Sequence, residues 1–504
     1  MAAAGEEDSW LDRLGSYDEG DRKVTLQSLA VLGPKAVAYA SDISRLLEDE
    51  YEEVRKAAAV ALGKIGIGAA GQARALAVAL SDDDPGVRAE AARALGAFGS
   101  GVAGQHGEAV ARLARDSDEG VQLAAVECLV AVSEASRLGA FFGSAFVAVL
   151  RAALLECGRS PQARMEHAGL IADKLRHPDA TVRLAAVQAS GEVGAACSAA
   201  HVAALGALAG GGPRGREAVA KVRRAAVQAL GRAGDAGVPC LLLFFGDVDE
   251  GVRFFAAETV ALVGGSVAAA AVADFLAKGG ACEGARQAAL AALGKLRADG
   301  LAHAPAVAGH LRDADFQCRL AAIQALSDMG AASEASAVGG LAGDASAGIR
   351  QAAVAALAKM GGEGASEAVR FLEDSEPGVR QAAVKVYSPL HSKLPEKLAR
   401  PYSGQVASRL LDEDWRVRLA AVVALGDLGV AQYSPQVAAL RGDADNQVRR
   451  SAVVTLEKFR ADPVLVAGFL GDDDRRVRDE AERAYRELGG GAGAGDDGEL
   501  SEVE

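Results

Sequence analysis

The chain has 504 residues, of which half are hydrophobic but only 4% aromatic, with 60 glycines and a formal charge of −14. That charge argues against general binding of DNA or RNA, which needs a basic footprint, and leaves protein partners, those with basic segments among them. Six cysteines (Cys128, Cys157, Cys197, Cys240, Cys282 and Cys318) are spread singly without a CxxC pair, which predicts reduced thiols in an intracellular, cytoplasmic protein, with the nucleus left open, rather than a disulfide framework or a zinc site.

Residues 1–19 open with MAAAGEEDSW, which is acidic and has no apolar signal core, so they read as an extension ahead of the fold. No apolar run reaches the roughly 18 residues of a membrane span. From residue 20 onward the chain repeats itself. The segments DDDPGVRAEAARALG (82–96), DADFQCRLAAIQALS (313–327), DEDWRVRLAAVVALG (412–426) and DADNQVRRSAVVTLE (443–457) share one pattern, D-x-D-x-x-V-R-x-A-A-V-x-A-L-G. Its arginine column runs Arg55, Arg88, Gln122, Arg183, Arg223, Arg253, Arg286, Arg319, Arg350, Arg380, Arg418, Arg449 and Arg478. Most steps are about 29–34 residues, the period of helical repeat arrays. An earlier copy, KVTLQSLAVLG (23–33), puts Thr25 at the arginine position. The double step after Gln122 implies a degenerate copy near 133–166, and insertions fall near 205–220 and 387–403. The glycine-rich, acidic tail 489–504 is expected to be disordered.

Each column has a physical meaning. Alanine stands three residues after the arginine in every copy from Ala58 to Ala481, as expected where adjacent helices nearly touch. Valine before the arginine and leucine seven after complete an i, i+4, i+8 stripe, one face of an α-helix. This segment is therefore the second helix of each repeat. Asp84-Pro85, Glu376-Pro377 and His177-Pro178 place a proline at its first turn, and Asp84 suits the N-cap. Gly66, Gly99, Gly234, Gly330, Gly361 and Gly429 mark its end as left-handed caps. A shorter first helix lies between each glycine and the next aspartate, as in Ser434-Pro435-Gln436-Val437, with Ser434 as its N-cap.

The D…V-R…A-A…L-G signature resembles the short class of HEAT repeats, those of phycobilisome-lyase type, over roughly residues 20–488. The resemblance implies an all-α solenoid, a right-handed superhelix of about 14 stacked two-helix units. It also implies a ladder of aspartate and arginine that ties the turn between helices to the second helix. Here the ladder would include Asp82, Arg88, Asp247, Arg253, Asp313, Arg319, Asp374, Arg380, Asp412, Arg418, Asp443 and Arg449. In such proteins the second helices line the concave wall.

Two columns then become the expected partner surface, because they lie opposite the apolar stripe. Five residues after the arginine stand Gln188, Gln228, Glu258, Gln324 and Lys385, and one residue after it stand Leu184, Phe254, Leu320 and Leu419. The basic stretch 210–224, with Arg214, Arg216, Lys221, Arg223 and Arg224, could grip an acidic peptide or phosphate, or be a solvated loop. Phe141, Phe142 and Phe146 read as core of the degenerate copy.

No catalytic motif appears: there is no H-E-x-x-H, no phosphate-binding G-x-x-x-x-G-K-[ST] and no G-x-S-x-G. No His-Glu dipeptide of the HEAT-repeat iron hydroxylases occurs either. Aspartate runs such as Asp472-Asp473-Asp474 lack the glycine and glutamate of a calcium loop. The expectation is a non-enzymatic scaffold or adaptor that needs no cofactor or metal. The alternative implied by the resemblance is a bilin-lyase-like role in tetrapyrrole attachment.

Overall fold

A computed structural model describes residues 10–191, 199–209, 219–279, 282–390 and 394–490. Among them there are helices and turns and no strand. The chain divides into two compact units, Met1–Thr259 and Val260–Glu504. The second helices of the repeats are α1 (Glu19–Leu32), α2 (Glu52–Ile65), α3 (Pro85–Ala97), α4 (Glu119–Ala131), α5 (Val147–Arg159), α6 (Ala180–Gly191), α7 (Ala220–Arg232) and α8 (Glu250–Val263). They continue as α9 (Glu283–Leu296), α10 (Phe316–Met329), α11 (Ala347–Leu357), α12 (Pro377–Val386), α13 (Trp415–Asp427), α14 (Asn446–Lys458) and α15 (Arg475–Glu487). Within each unit, successive second helices pack on one another, so the architecture is an α-solenoid.

The valine, alanine and leucine stripe is the core of the stack. Val87, Ala91 and Leu95 of α3, and Val448, Ala452 and Leu456 of α14, are fully buried. The glycine that ends the repeat pattern sets the spacing between helices. A Cβ on Gly63 would lie 3.1 Å from the Cα of Ala94, one on Gly158 2.8 Å from that of Ala189, and one on Gly294 2.8 Å from that of Ala325. In each case the glycine of one second helix meets a small residue of the next, and the backbones come into contact.

The starts and stops of these helices are largely those written in the sequence. The Asp84 carboxylate accepts from the Val87 amide at 2.9 Å, with Pro85 at the first helical position. Asp118, Asp315, Asp445 and Asp474 cap in the same way. All six cap glycines have φ between +61° and +80°. The residues with positive φ other than glycine, Ser133, Arg297 and Arg460, occupy this same column. In these copies the repeat geometry therefore holds a left-handed residue there even where it has a Cβ, at a cost of about 1–2 kcal/mol, whereas the degenerate copy has Pro161 at that place and no positive φ.

Three expectations need correction. Arg22, not Thr25, fills the arginine position of the first copy, because its guanidinium reaches Asp49 and its Nη1 donates to the Ser16 carbonyl at 2.7 Å. Thr25 instead occupies the alanine column, where its hydroxyl donates to the Asp21 carbonyl and so can be buried. Pro178 precedes α6, which begins at Ala180; Asp179 caps that helix through the amides of Thr181 and Val182. Ser434 is already helical (φ −51°, ψ −42°), and its hydroxyl turns back to the Ala431 carbonyl. The reason is that this first helix, like several others, opens with a 3₁₀ turn, here Ala431–Tyr433. The first of them runs Gly33–Tyr39 as 3₁₀, Ala40–Arg45 as α and Leu46–Glu48 as 3₁₀. A short helix with tightened ends satisfies its terminal amides without a side-chain cap.

Candidate protein-interaction surface

The aspartate and arginine columns meet between repeats. Arg88 on α3 donates from Nε and Nη2 to the two carboxylate oxygens of Asp116 at 2.7 and 2.9 Å, and from Nη1 to the Asp82 carbonyl at 2.8 Å. Asp82 in turn receives Arg55 of the preceding repeat. An arginine thus touches the aspartate six residues before it through that residue's carbonyl, while its guanidinium clamps the carboxylate of the following repeat. In the first unit, Arg22 pairs with Asp49 and Arg223 with Asp247, and Arg253 holds the Asp247 carbonyl at 2.9 Å. In the second unit the pairs are Arg286–Asp313, Arg319–Asp344, Arg350–Asp374, Arg380–Asp412, Arg418–Asp443 and Arg449–Asp472. Each aspartate also accepts the amide two residues on, as Asp84 N–H does with Asp82 at 2.9 Å. One residue therefore pins its own turn and the neighbouring repeat.

Burial raises the Asp116 carboxyl, but the Arg88 guanidinium and the Asp118 amide outweigh it and hold it below the usual carboxylate range. Asp82, Asp313, Asp374 and Asp443 share this balance. At Asp472 the hydrogen bonds from Arg449 dominate.

The degenerate copy carries a neutral rung. Gln122 replaces arginine and donates to the Asp116 carbonyl at 2.6 Å, while Ser144 replaces aspartate and donates to the Gln122 amide oxygen at 2.7 Å. The next arginine position is the buried Leu150, and the next aspartate position is His177, whose Nδ1 accepts the Asp179 amide at 3.1 Å. The signal was present in residues 144–158, SAFVAVLRAALLECG, once serine and leucine are allowed in the two charged columns. Phe141 and Phe142 are buried beside this copy and Phe146 is half-buried. Burial pushes the thiol of Cys128 up to about 12 and that of Cys157 up to about 11, which leaves both unreactive at neutral pH.

With the ladder and the stripe committed to packing, the two outward columns remain. Gln188, Gln228, Glu258, Gln324 and Lys385 are all exposed. Phe254 is 40% exposed, whereas Leu184, Leu320 and Leu419 are only half-buried rather than displayed. Grooves run between the second helices. Leu419 lines one of about 230 Å³ with Gln381 and Lys385. Gln188 and Gln228 face a larger one of about 480 Å³, with Arg159 and Arg232 at its rims and Val187, Ala189 and Gly191 beneath.

The insertions are described only in part. Arg214 and Arg216 lie outside the described residues, and Arg223 is a ladder residue buried on Asp247. Arg224 and Lys221 are exposed, and Arg224 lies 3.2 Å from Asp249. In the stretch 387–403, Tyr387 is buried and donates to the Ala365 carbonyl at 2.8 Å, with its ring 5.2 Å from Tyr402; residues 391–393 lie outside the description. Of the tail and the N-terminal extension, residues 491–504 and 1–9 also lie outside it. Among the described residues no group of His, Cys, Asp and Glu could hold a metal ion, and no helix is long and apolar enough to cross a membrane.

The HEAT-repeat model matches residues 73–140, 215–294, 304–388 and 405–486, more than half of the chain. A comparison with curated proteins finds no match. Among solved structures, importin beta is 13% identical, with 95% of this chain and 76% of that chain covered and a TM-score of 0.41. Yeast importin-beta is 13% identical, covering 97% and 77% with a TM-score of 0.39, and an engineered protein is 18% identical, covering 95% and 98% with a TM-score of 0.25. Scores this low carry no argument about function. The family rests instead on the repeats, their capped second helices and the match across them: the chain belongs to the HEAT-repeat family.

Proposed function

We propose that this protein is a non-enzymatic scaffold that holds other proteins along the face built by its second helices. The observation that carries the reading is the repetition of exposed polar groups at one helical position, Gln188, Gln228, Glu258, Gln324 and Lys385, on helices whose other faces are buried. These groups stand on helical backbone that is already ordered, so a partner has only their side chains to order, which favours binding. The polar ladder beneath them is engaged in fixing one repeat on the next.

The reading is tested with a photo-crosslinking side chain placed singly at Gln188, Gln228 or Gln324, and at Ile67 or Val78, which are exposed on first helices. Crosslinks to the same partner protein at the three glutamine sites and not at the two others support it. Crosslinks confined to Ile67 and Val78 would place the working surface elsewhere.

A further inference from the structure

In a chain of net charge −14, one part of the second-helix face gathers four exposed arginines. On α5, Arg151, Leu155 and Arg159 follow one another at four-residue spacing, and on α7 so do Arg224, Gln228 and Arg232. Residues four apart on a helix share a face. Leu155, Arg159, Gln228 and Arg232 line the 480 Å³ groove, so Arg151 and Arg224 stand one turn along the same two rims. All four arginines are exposed. Between the rims lies α6, whose Gln188 occupies the middle of the groove.

The floor is low because its helices are pressed together. Gly158 of α5 meets Ala189 of α6, and Gly191 of α6 meets Ala229 of α7. Glycine-mediated contacts bring neighbouring axes toward the short end of the usual 8–10 Å, so the rims stand about 16 Å apart. Among the described residues, the acidic groups nearby include Glu156, 2.5 Å from Arg159, Asp249, 3.2 Å from Arg224, and Glu127 and Glu258 on the helices to either side, and Arg232 too is engaged. The pairs of Arg159 and Arg224 are at the surface, as is Arg232 itself, and there a partner carboxylate can exchange for a resident one at little cost.

We propose that this groove binds an extended acidic segment of a partner protein, with carboxylates on the arginine rims of α5 and α7 and its main chain against the amides of Gln188 and Gln228. An extended chain advances about 3.3 Å per residue, so a span of about 16 Å separates the two acidic positions by about five residues. An amide side chain offers both a donor and acceptors, which matches a peptide group without regard to sequence. Specificity would then come from the two charged ends. This inference rests on the scaffold reading, to which it adds the chemistry of one partner.

The test uses the full chain and a fluorescein-labelled peptide with two Glu-Glu pairs separated by Gly-Ser-Gly, read by fluorescence anisotropy. The same peptide with Gln for Glu serves as control. We expect saturable binding of the Glu peptide that weakens with salt. Binding should fall about tenfold or more in R159E/R232E and survive in R159K/R232K, the scale of losing charge-assisted contacts at both rims. It should also survive in R312E, which removes an exposed arginine elsewhere. Equal binding of the Gln peptide, equal loss in R312E, or unchanged binding in R159E/R232E would overturn the proposal. If the Glu peptide fails to bind while partner crosslinks at Gln228 persist, the acidic chemistry is wrong and the scaffold reading stands.

Discussion

Arg88 clamps both carboxylate oxygens of Asp116, which belongs to the next repeat, while its third nitrogen holds the carbonyl of Asp82 in its own. One side chain thereby fixes the turn within a repeat and the setting of the repeat that follows. The pair is largely shielded, with 15% and 9% of the two side chains exposed. Asp116→Ala should therefore lower stability by about 3 kcal/mol, because it leaves a shielded guanidinium without its partner. Replacing both with apolar residues, as in R88M/D116L, should cost clearly less. Urea unfolding of the two variants and the parent checks this; equal losses would contradict the account.

The ladder also fixes how stability depends on pH. Asp116, Asp374 and Asp443 titrate below the usual carboxylate range in the folded chain. The folded state therefore binds fewer protons than the unfolded state, so the contribution is complete above the ordinary range and is lost as pH falls below it through the lower folded values. Thermal unfolding should be nearly flat from neutral pH down to about pH 5 and drop steeply below about pH 4. In D116N/D374N/D443N the acid drop should be shallower. An equally steep drop in that variant would mean that other carboxylates control it.

Arg297 and Arg460 have φ of +50° in the column that elsewhere holds glycine. Arg297→Gly and Arg460→Gly should each stabilise the chain by about 1 kcal/mol, less the flexibility that glycine adds to the unfolded state. Gly330→Ala, at φ +67°, should destabilise it by a similar amount. Calorimetry distinguishes these signs directly.

Gly294 has no room for a methyl group, since a Cβ there would fall 2.8 Å from the Ala325 backbone. Gly294→Ala should cost about 1–3 kcal/mol by forcing α9 and α10 apart. Gly309 has open space around its Cβ position, and Gly309→Ala should leave the melting temperature nearly unchanged or slightly raised.

Much of the fold could be read from the chain because its constraints recur. The buried stripe, the aspartate caps and the left-handed glycines are each imposed by one local geometry repeated many times. Reading failed where one residue type took over another's place. Arg22 was missed because Thr25, in an alanine column, satisfies its hydroxyl on Asp21 and offers no visible alanine to align on. The neutral rung of Gln122 and Ser144 is invisible to a search for charges. The direction of the ladder, from one repeat to the next, depends on packing distances that no single repeat contains. The outward columns were legible by helical phase, and Gln188, Gln228, Glu258, Gln324 and Lys385 are all exposed. What they face was not legible, because the groove between α5 and α7 depends on how closely Gly158 and Gly191 let the helices approach.

The central claim, that the second-helix face holds protein partners, is tested most directly by purifying the full chain and its Q188E/Q228E/Q324E variant from native lysate and measuring the molar ratio of each co-purified protein. The account predicts one or a few proteins near equimolar with the parent chain and lost from the variant, at an unchanged melting temperature. Partners retained in full by the variant would contradict it.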